Sequence, residues 1–430
     1  MKKRVTRRDF LKLAGTTAVA STLMGFQPSR ALAQNSSAVS LLLGSHMDYL
    51  QNLAPDYEAE YGVSPSIELV TTPDLEVKLN SSFIARRSPG DVVFLTAALI
   101  SGMAENGWLE ELSEFIDEKL RPEGLLENAL TAARYRGGIY GVPITIGAPI
   151  MHWNNNLFEA HGLDAEAPAD WHAQPGSWDT MLEAAREIND PANNVYGIVD
   201  AWAGTHSIFT FGALLQMHGG RFLDDDLQPV MNSEAGVAAL AKMVDLLHVE
   251  KVIDPATVTY TWVFDASPSY LAGQRGIFFT WPFIAGVADF AEESQLKGRN
   301  GFAPNPSVET SASVDGSEFL GVPTFAGNKE GALQYIELAT SFENQVKQGA
   351  LGVWAPVLGP ALEHPDVTSA LQVAEVIRQS YLYPVDGGFS ADRARWVEIL
   401  TSELSLAFNQ SKSPQAALDD AVRLINQSRS

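Results

Sequence analysis

Short apolar runs alternate with stretches of helical spacing, and this alternation limits the fold more than any other feature of the chain. Val39-Ser40-Leu41-Leu42-Leu43 is an apolar run ending at Gly44 and reads as a buried strand. Leu50, Leu53, Tyr57 and Tyr61 then recur at helical spacing and stop at Gly62. Ile67-Glu68-Leu69-Val70 reads as a second strand, Leu75, Leu79 and Phe83 mark a second helix, and Asp91-Val92-Val93-Phe94-Leu95 reads as a third strand. Strand–helix alternation predicts parallel strands with helices on the sheet faces, an α/β fold. Helical stripes resume at Trp178, Met181, Leu182, Ala185 and Ile188, with Ser177 as the expected cap. Further helices are predicted after Ser233, after Asn328 and after Ser413-Pro414, where a capping residue precedes proline at the first helical position.

The first 33 residues have a different character. A basic stretch leads to Thr6-Arg7-Arg8-Asp9-Phe10-Leu11-Lys12, then an apolar run to Phe26, then Ala31-Leu32-Ala33. This order predicts a twin-arginine export signal cleaved near Ala33, with the working chain folding before export and residing in the periplasm. Gly15, Thr16, Thr17, Ser21 and Thr22 interrupt the run, which is too short and polar to persist as a spanning helix. The 430 residues include no cysteine, which excludes disulfides, thiolate metal sites, a cysteine nucleophile and a lipidated cysteine anchor. With 29 basic and 52 acidic residues the net charge is −23, and the signal holds seven of the basic ones. So acidic a surface repels nucleic acid and anionic lipid and favours neutral or cationic ligands.

Catalytic signatures are missing: no G-x-S-x-G elbow, no H-E-x-x-H, no phosphate-cradling loop and no dinucleotide fingerprint. His161 and His172 flank an acidic, proline-containing loop and are expected on the surface rather than on a metal. Asp224-Asp225-Asp226 lacks the spacing of a calcium loop and is expected to form a solvated turn. No cofactor and no metal are predicted. Carboxylates are too numerous for their pairing to mean anything, so a hidden pair of glycan-cleaving carboxylates stays open.

Tyr140-Gly141-Val142-Pro143 is followed ten residues on by Trp153-Asn154-Asn155-Asn156-Leu157-Phe158, then by Gly162-Leu163 and by Pro175-Gly176-Ser177-Trp178-Asp179. In this order the chain resembles the family 1 extracellular solute-binding proteins, the maltose-binding-like receptors of carbohydrate ABC importers. Trp153 stands where the family has tyrosine, and Ser177 where it has threonine. Gly107-Trp108-Leu109-Glu110-Glu111-Leu112, Gly219-Gly220, Leu271-Ala272-Gly273-Gln274-Arg275-Gly276-Ile277-Phe278 and Gly321-Val322-Pro323 extend the resemblance over most of the chain.

The resemblance implies a two-lobed periplasmic-binding-protein fold of type II, each lobe a mostly parallel sheet flanked by helices, with a multi-crossover hinge. Crossovers are expected near Pro143–Ile146, Thr280–Pro282 and Gly321–Val322. Lobe one would hold residues 34–143 and 284–320, and lobe two 144–282 and 322–430. The implied role is capture of a sugar, oligosaccharide or polyol by hinge closure, without catalysis, and delivery to ABC transporter permease subunits, by a monomer.

A carbohydrate site combines flat aromatic faces with hydrogen-bonding groups. By resemblance, Trp202, Trp281, Trp354 and Trp396 fall where the family has cleft aromatics; core packing is the competing reading for each. Trp178 and Trp108 are expected in the core. Ser45, His46 and Asp48 follow the first strand, at the edge where open α/β sheets bind ligands. Thr145 at the first crossover is a further candidate. After the third strand the chain has Thr96-Ala97-Ala98 where some family members carry an aromatic and an aspartate, which argues against a maltodextrin-type site. The same fold holding a cationic or amine solute such as a polyamine is the alternative, and an exported glycan-active enzyme a third reading.

Overall fold

The computed structural model describes residues 38–430. The predicted export signal lies outside them. The described chain divides into two compact units: the residues up to Val93 together with Val322–Leu338, and Phe94–Gly321 together with Ala339–Ser430.

In the first unit, β1 (Ser40–Gly44) pairs in parallel with β2 (Ser66–Val70), in the register Leu42↔Glu68, and with β3 (Val92–Thr96), through Leu41↔Val92 and Leu42↔Val93. The helix Thr72–Ile84 buries Leu75, Leu79 and Phe83, three residues at helical spacing. Gly62 ends the helix Ala54–Tyr61 in the left-handed region at φ 75°, and its N–H caps the carbonyl of Glu58. Buried Asp91 fastens the unit: its carboxylate accepts from the Ser40 amide (2.9 Å), the Ser40 hydroxyl (2.7 Å) and the amides of Gly327 and Asn328 (2.8 and 2.9 Å). The helix Lys329–Thr340 begins just after, and Tyr335 donates to the Leu50 carbonyl at 2.6 Å with its ring 5.7 Å from that of Tyr57.

The second unit contains a short hairpin, β4 (Arg134–Tyr135) with β5 (Gly138–Ile139), and then β6 (Val142–Thr145). Its main sheet is built from β7 (Ile150–Asn154), β8 (Tyr196–Val199), β9 (Arg275–Thr280) and β10 (Asn300–Ala303), in the order β10-β7-β9-β8. A last strand, β11 (Glu318–Gly321), runs antiparallel to β6.

Two expectations need correction. The main sheet is not mostly parallel: β8 and β9 are parallel, but β7 is antiparallel to both its neighbours. β6, four residues before β7, pairs in another sheet, so β7 enters the main sheet with no crossover from one of its own strands to hold it parallel. Nor does the chain leave this sheet at 280–282. After a short helix, Ile284–Phe290, it comes back as β10 to pair with β7, so 284–303 belongs with 150–280.

Local chemistry explains the main sheet's edge. Gly301 stands opposite Trp153, and a Cβ there would lie 2.1 Å from the indole, so only glycine lets the ring fold over its partner strand. The Trp153 N–H donates to the Ala165 carbonyl at 2.9 Å. Asn154 closes the strand and caps the next helix, accepting from the amides of Asn156 and Leu157. Ser177, expected as a cap, instead starts its helix behind Gly176 and donates its hydroxyl to the Trp171 carbonyl. Ser233 and Ser413 do cap, accepting from Gly236 and Ala416.

Helices Ser177–Ile188, Ser207–Met217, Glu234–His248, Arg393–Phe408 and Pro414–Arg429 bury one continuous apolar core with this sheet. At its edge Arg275, 4% exposed, donates to Asp254, 3% exposed, through Nε (2.9 Å) and Nη2 (2.6 Å). Its Nη1 donates to the carbonyls of Asn194 and Gln274. Among the described residues no helix is long and apolar enough to cross a membrane.

Candidate functional site

The parallel pair β8–β9 directs two segments off the same carboxyl edge, where α/β sheets hold ligands. Asp200 to Trp202 follow β8, and Trp281 follows β9. Around Trp281 lies an aromatic cluster. Its ring centroid is 5.2 Å from Phe209, edge to face, and 6.4 Å from Trp262. His206 lies 5.1 Å from Phe209 and 5.0 Å from Trp262. Trp262 is 42% exposed and Trp281 and Phe209 are half-buried, so the cluster presents aromatic area to solvent. The Trp281 ring is seated on backbone: a Cβ on Gly316 would fall 2.3 Å from its Cη2. Its Nε1 is buried without a hydrogen-bond partner.

Behind Phe209 a small recess is lined by Asp200, His206, Thr210, Pro149, Trp178 and Asn305, among others. Asn305 Oδ1 is buried there without a partner, its amide nitrogen being held by the carbonyls of Pro149 and Ala312. Burial pushes the His206 pKa down to about 4, so the ring is neutral at neutral pH. Burial pushes the Asp200 carboxyl up, while donors from Thr210, the Ala201 amide and Trp202 Nε1 pull it back, leaving it at about 7. A folded pKa above the ordinary 3.8 means that the native state holds the proton more tightly. Stability from this group is therefore full below pH 3.8 and declines as pH rises through about 7. Carbon-13 NMR of labelled aspartate should show the Asp200 carboxyl titrating near 7; a midpoint in the ordinary carboxylate range would mean that the three donors outweigh burial.

Of the predicted site residues, Trp281 alone falls in this cluster. Trp202 is 3% exposed; its indole stacks on Phe408 at 5.3 Å and donates to Asp200 at 2.8 Å, so it is a core side chain that orients the carboxylate. Trp396 is fully buried, packed on Phe222 at 5.4 Å and donating to Ser390 Oγ at 2.9 Å. Trp354 is half-buried in the loop after the helix Phe342–Gly349. Thr145 is buried and its hydroxyl is spent on the Ala355 carbonyl at 2.9 Å. Ser45, His46 and Asp48 open the 3-10 segment after β1 in the first unit, Ser45 and Asp48 exposed and His46 half-buried. Trp178 is in the core, stacked on Phe279 at 5.8 Å, whereas Trp108 is only half-buried. His161 is exposed, and His172 Nδ1 lies 2.9 Å from the Tyr383 hydroxyl. The Asp224 carboxylate accepts from the amides of Asp226 and Gln228, making the acidic triplet a turn. Sequence reasoning missed Phe209, His206 and Trp262; their shared signal is position at a helix start, His206 and Trp262 each preceding a helix and Phe209 lying in its first turn.

Known proteins agree with this architecture. The chain is 26% identical over 299 residues to a probable amino-acid ABC transporter periplasmic-binding protein, y4oP, of Sinorhizobium fredii, covering 67% of this chain and 63% of that protein. A mannitol-binding protein of Pseudomonas aeruginosa is 24% identical over 241 residues, 55% of this chain and 52% of that one. The chain thus spans little more than half the length of the curated relatives it matches. Maltose-bound MalE3 of T. maritima superposes with a TM-score of 0.73 at 22% identity, over 90% of this chain and 99% of that structure, which establishes the α/β solute-binding-protein fold. The model of the bacterial extracellular solute-binding proteins matches residues 43–346, and the chain belongs to that family.

Proposed function

We propose that the protein is a periplasmic receptor that captures a sugar, oligosaccharide or polyol and delivers it to the permease of an ABC importer. The carrying observation is the aromatic cluster around Trp281, with its buried, unsatisfied indole N–H. Sugar C–H faces stack on such rings, and a ligand hydroxyl would supply the acceptor that the indole lacks. The mannitol-binding and maltose-bound relatives support this ligand class. In this reading the protein binds without turning ligand over, acts as a monomer and reaches the periplasm through Arg7-Arg8, with cleavage near Ala33.

A second reading, an amine-bearing solute, draws support from the amino-acid transporter relative and from the net charge of −23. Isothermal titration of the purified chain against D-mannitol, ribitol, maltose, putrescine and L-glutamine separates the two. A carbohydrate or polyol should bind, with an affinity that hardly changes with salt. Binding by putrescine alone, weakening steeply as salt rises, would replace the carbohydrate by a cation. Appearance of a shortened glycan during incubation would make the protein an enzyme.

A further inference from the structure

The recess behind Phe209 brings together two buried oxygens that still have room to accept. Asp200, 2% exposed, uses its carboxylate oxygens unequally. Oδ2 accepts from Trp202 Nε1 at 2.8 Å and from the Thr210 hydroxyl at 2.5 Å, which takes both of its lone pairs. Oδ1 accepts from the Ala201 amide at 2.7 Å, and among the described residues it has no second donor. Asn305, 4% exposed, lines the same recess. Its Nδ2 donates to the carbonyls of Pro149 (3.2 Å) and Ala312 (3.0 Å), which settles which end of the amide is oxygen. That oxygen, Oδ1, is buried without a partner. The recess between them measures about 20 Å³, room for about one water molecule.

Two acceptors on one small space need a hydrogen between them, and a protonated Asp200 supplies it. Oδ2 has no lone pair left, so the proton goes to Oδ1, and Asn305 Oδ1 is the acceptor for the new O–H. Among the described residues lining the recess, His206 is the only other group that titrates, and its ring is neutral at neutral pH. The charges on the elements around it are engaged elsewhere. Asp254, beside β8, is closed on Arg275, and Glu403, on the helix packed against 204–206, is closed on Lys412. Within 304–317, Asp315 is held by Ser317 and Tyr381, and Glu309 acts on His218. The two oxygens also sit on the two parts of the frame that carry the aromatic cluster. Thr210, bonded to Asp200, directly follows Phe209, and the segment from Asn305 runs on to Gly316 beneath Trp281.

We propose that a proton held between Asp200 Oδ1 and Asn305 Oδ1 locks this frame in acid, and that in alkali a water replaces it and loosens the grip on solute. One proton leaves Asp200 Oδ1 for solvent and its O–H···O bond breaks; one water enters and donates a hydrogen to each oxygen. Native Asp200 holds its proton up to about pH 7, so the lock is complete well below that pH and is lost as pH rises through it. The effect on solute rests on the receptor reading, whereas the lock does not.

Carbon-13 NMR of aspartate-labelled protein tests the lock without ligand, Asp200→Asn identifying the resonance and melting curves confirming that each variant folds. The wild-type carboxyl should titrate near 7, and in Asn305→Leu near about 6, the scale of one lost hydrogen bond to the neutral form. Leucine keeps the site dry and apolar, so burial alone would move the midpoint up rather than down. An unchanged or higher midpoint in Asn305→Leu, or a wild-type midpoint near 3.8, overturns the lock. Should Asn305→Leu unfold, wild-type crystals at pH 5.5 decide: the two oxygens within hydrogen-bond distance support the lock, and a water between them overturns it. Titration calorimetry at pH 5.5 and 8.5 reads the grip, with whichever of D-mannitol, ribitol, maltose, putrescine and L-glutamine binds. The wild type should bind about fivefold more tightly at pH 5.5, and Asp200→Asn, which cannot titrate, equally at both. The same pH dependence in both proteins overturns the loosening. If none of the five binds, the receptor reading falls, and the NMR midpoints alone decide the lock.

Discussion

Arg275→Met should destabilise the protein by about 3–5 kcal/mol, because it leaves the Asp254 carboxylate buried with its counter-charge gone. Both side chains are almost wholly enclosed, at 4% and 5% exposure, with a closest approach of 2.6 Å. The guanidinium also satisfies two backbone carbonyls, so the loss is not confined to the pair. The reverse variant, Asp254→Leu, strands the cation and removes the acceptor for the Ala256 amide. The double variant should recover part of the loss, since neither buried charge then remains alone. Urea midpoints at constant slope measure all three. A single variant within about 0.5 kcal/mol of wild type would place this pair with ordinary surface ion pairs.

The two tryptophans with opposite roles give the second large effect. Trp281→Ala should cost about 2–4 kcal/mol of binding energy, as truncation of an aromatic anchor does. Its effect on stability should be smaller, since the ring is half-buried and its N–H has no protein partner to lose. Trp396→Ala should cost about 3–5 kcal/mol of stability, by emptying a fully enclosed site and removing the indole N–H that donates to the Ser390 hydroxyl. Where that variant remains folded, its affinity should stay within a few-fold of wild type. Equal loss of affinity in both variants would remove Trp281 from the groups that touch the solute. Thermal melts and calorimetry on the same preparations measure the pair.

These roles show which part of the structure could be read from the sequence. β1 to β3 and the helices between them follow from apolar spacing, because a strand or helix face is written every second or every third to fourth residue. The reversed direction of β7 was not legible, since strand polarity depends on which end of the sheet the chain enters and no residue pattern records that. Ser177 shows the limit of cap reading: a serine before a helical stripe caps only if its hydroxyl turns inward, and here the Trp171 carbonyl claims it. The tryptophans were harder still. Trp202 and Trp281 both follow strands of the same parallel pair, yet Trp202 turns onto Phe408 and Trp281 onto Phe209. Local sequence gives the two positions equal standing, and long-range packing separates them.

On the proposed receptor reading, the footing of Trp281 bears on how ligand preference can change. The indole rests on a residue with no side chain, and even a methyl group at Gly316 would compete for the volume of the ring. The breadth of the aromatic shelf is thus governed from beneath, by a position that no solute needs to touch. Descendants of this gene could shift the sizes of guest they accept by one carbon atom at 316, leaving every rim residue as it stands.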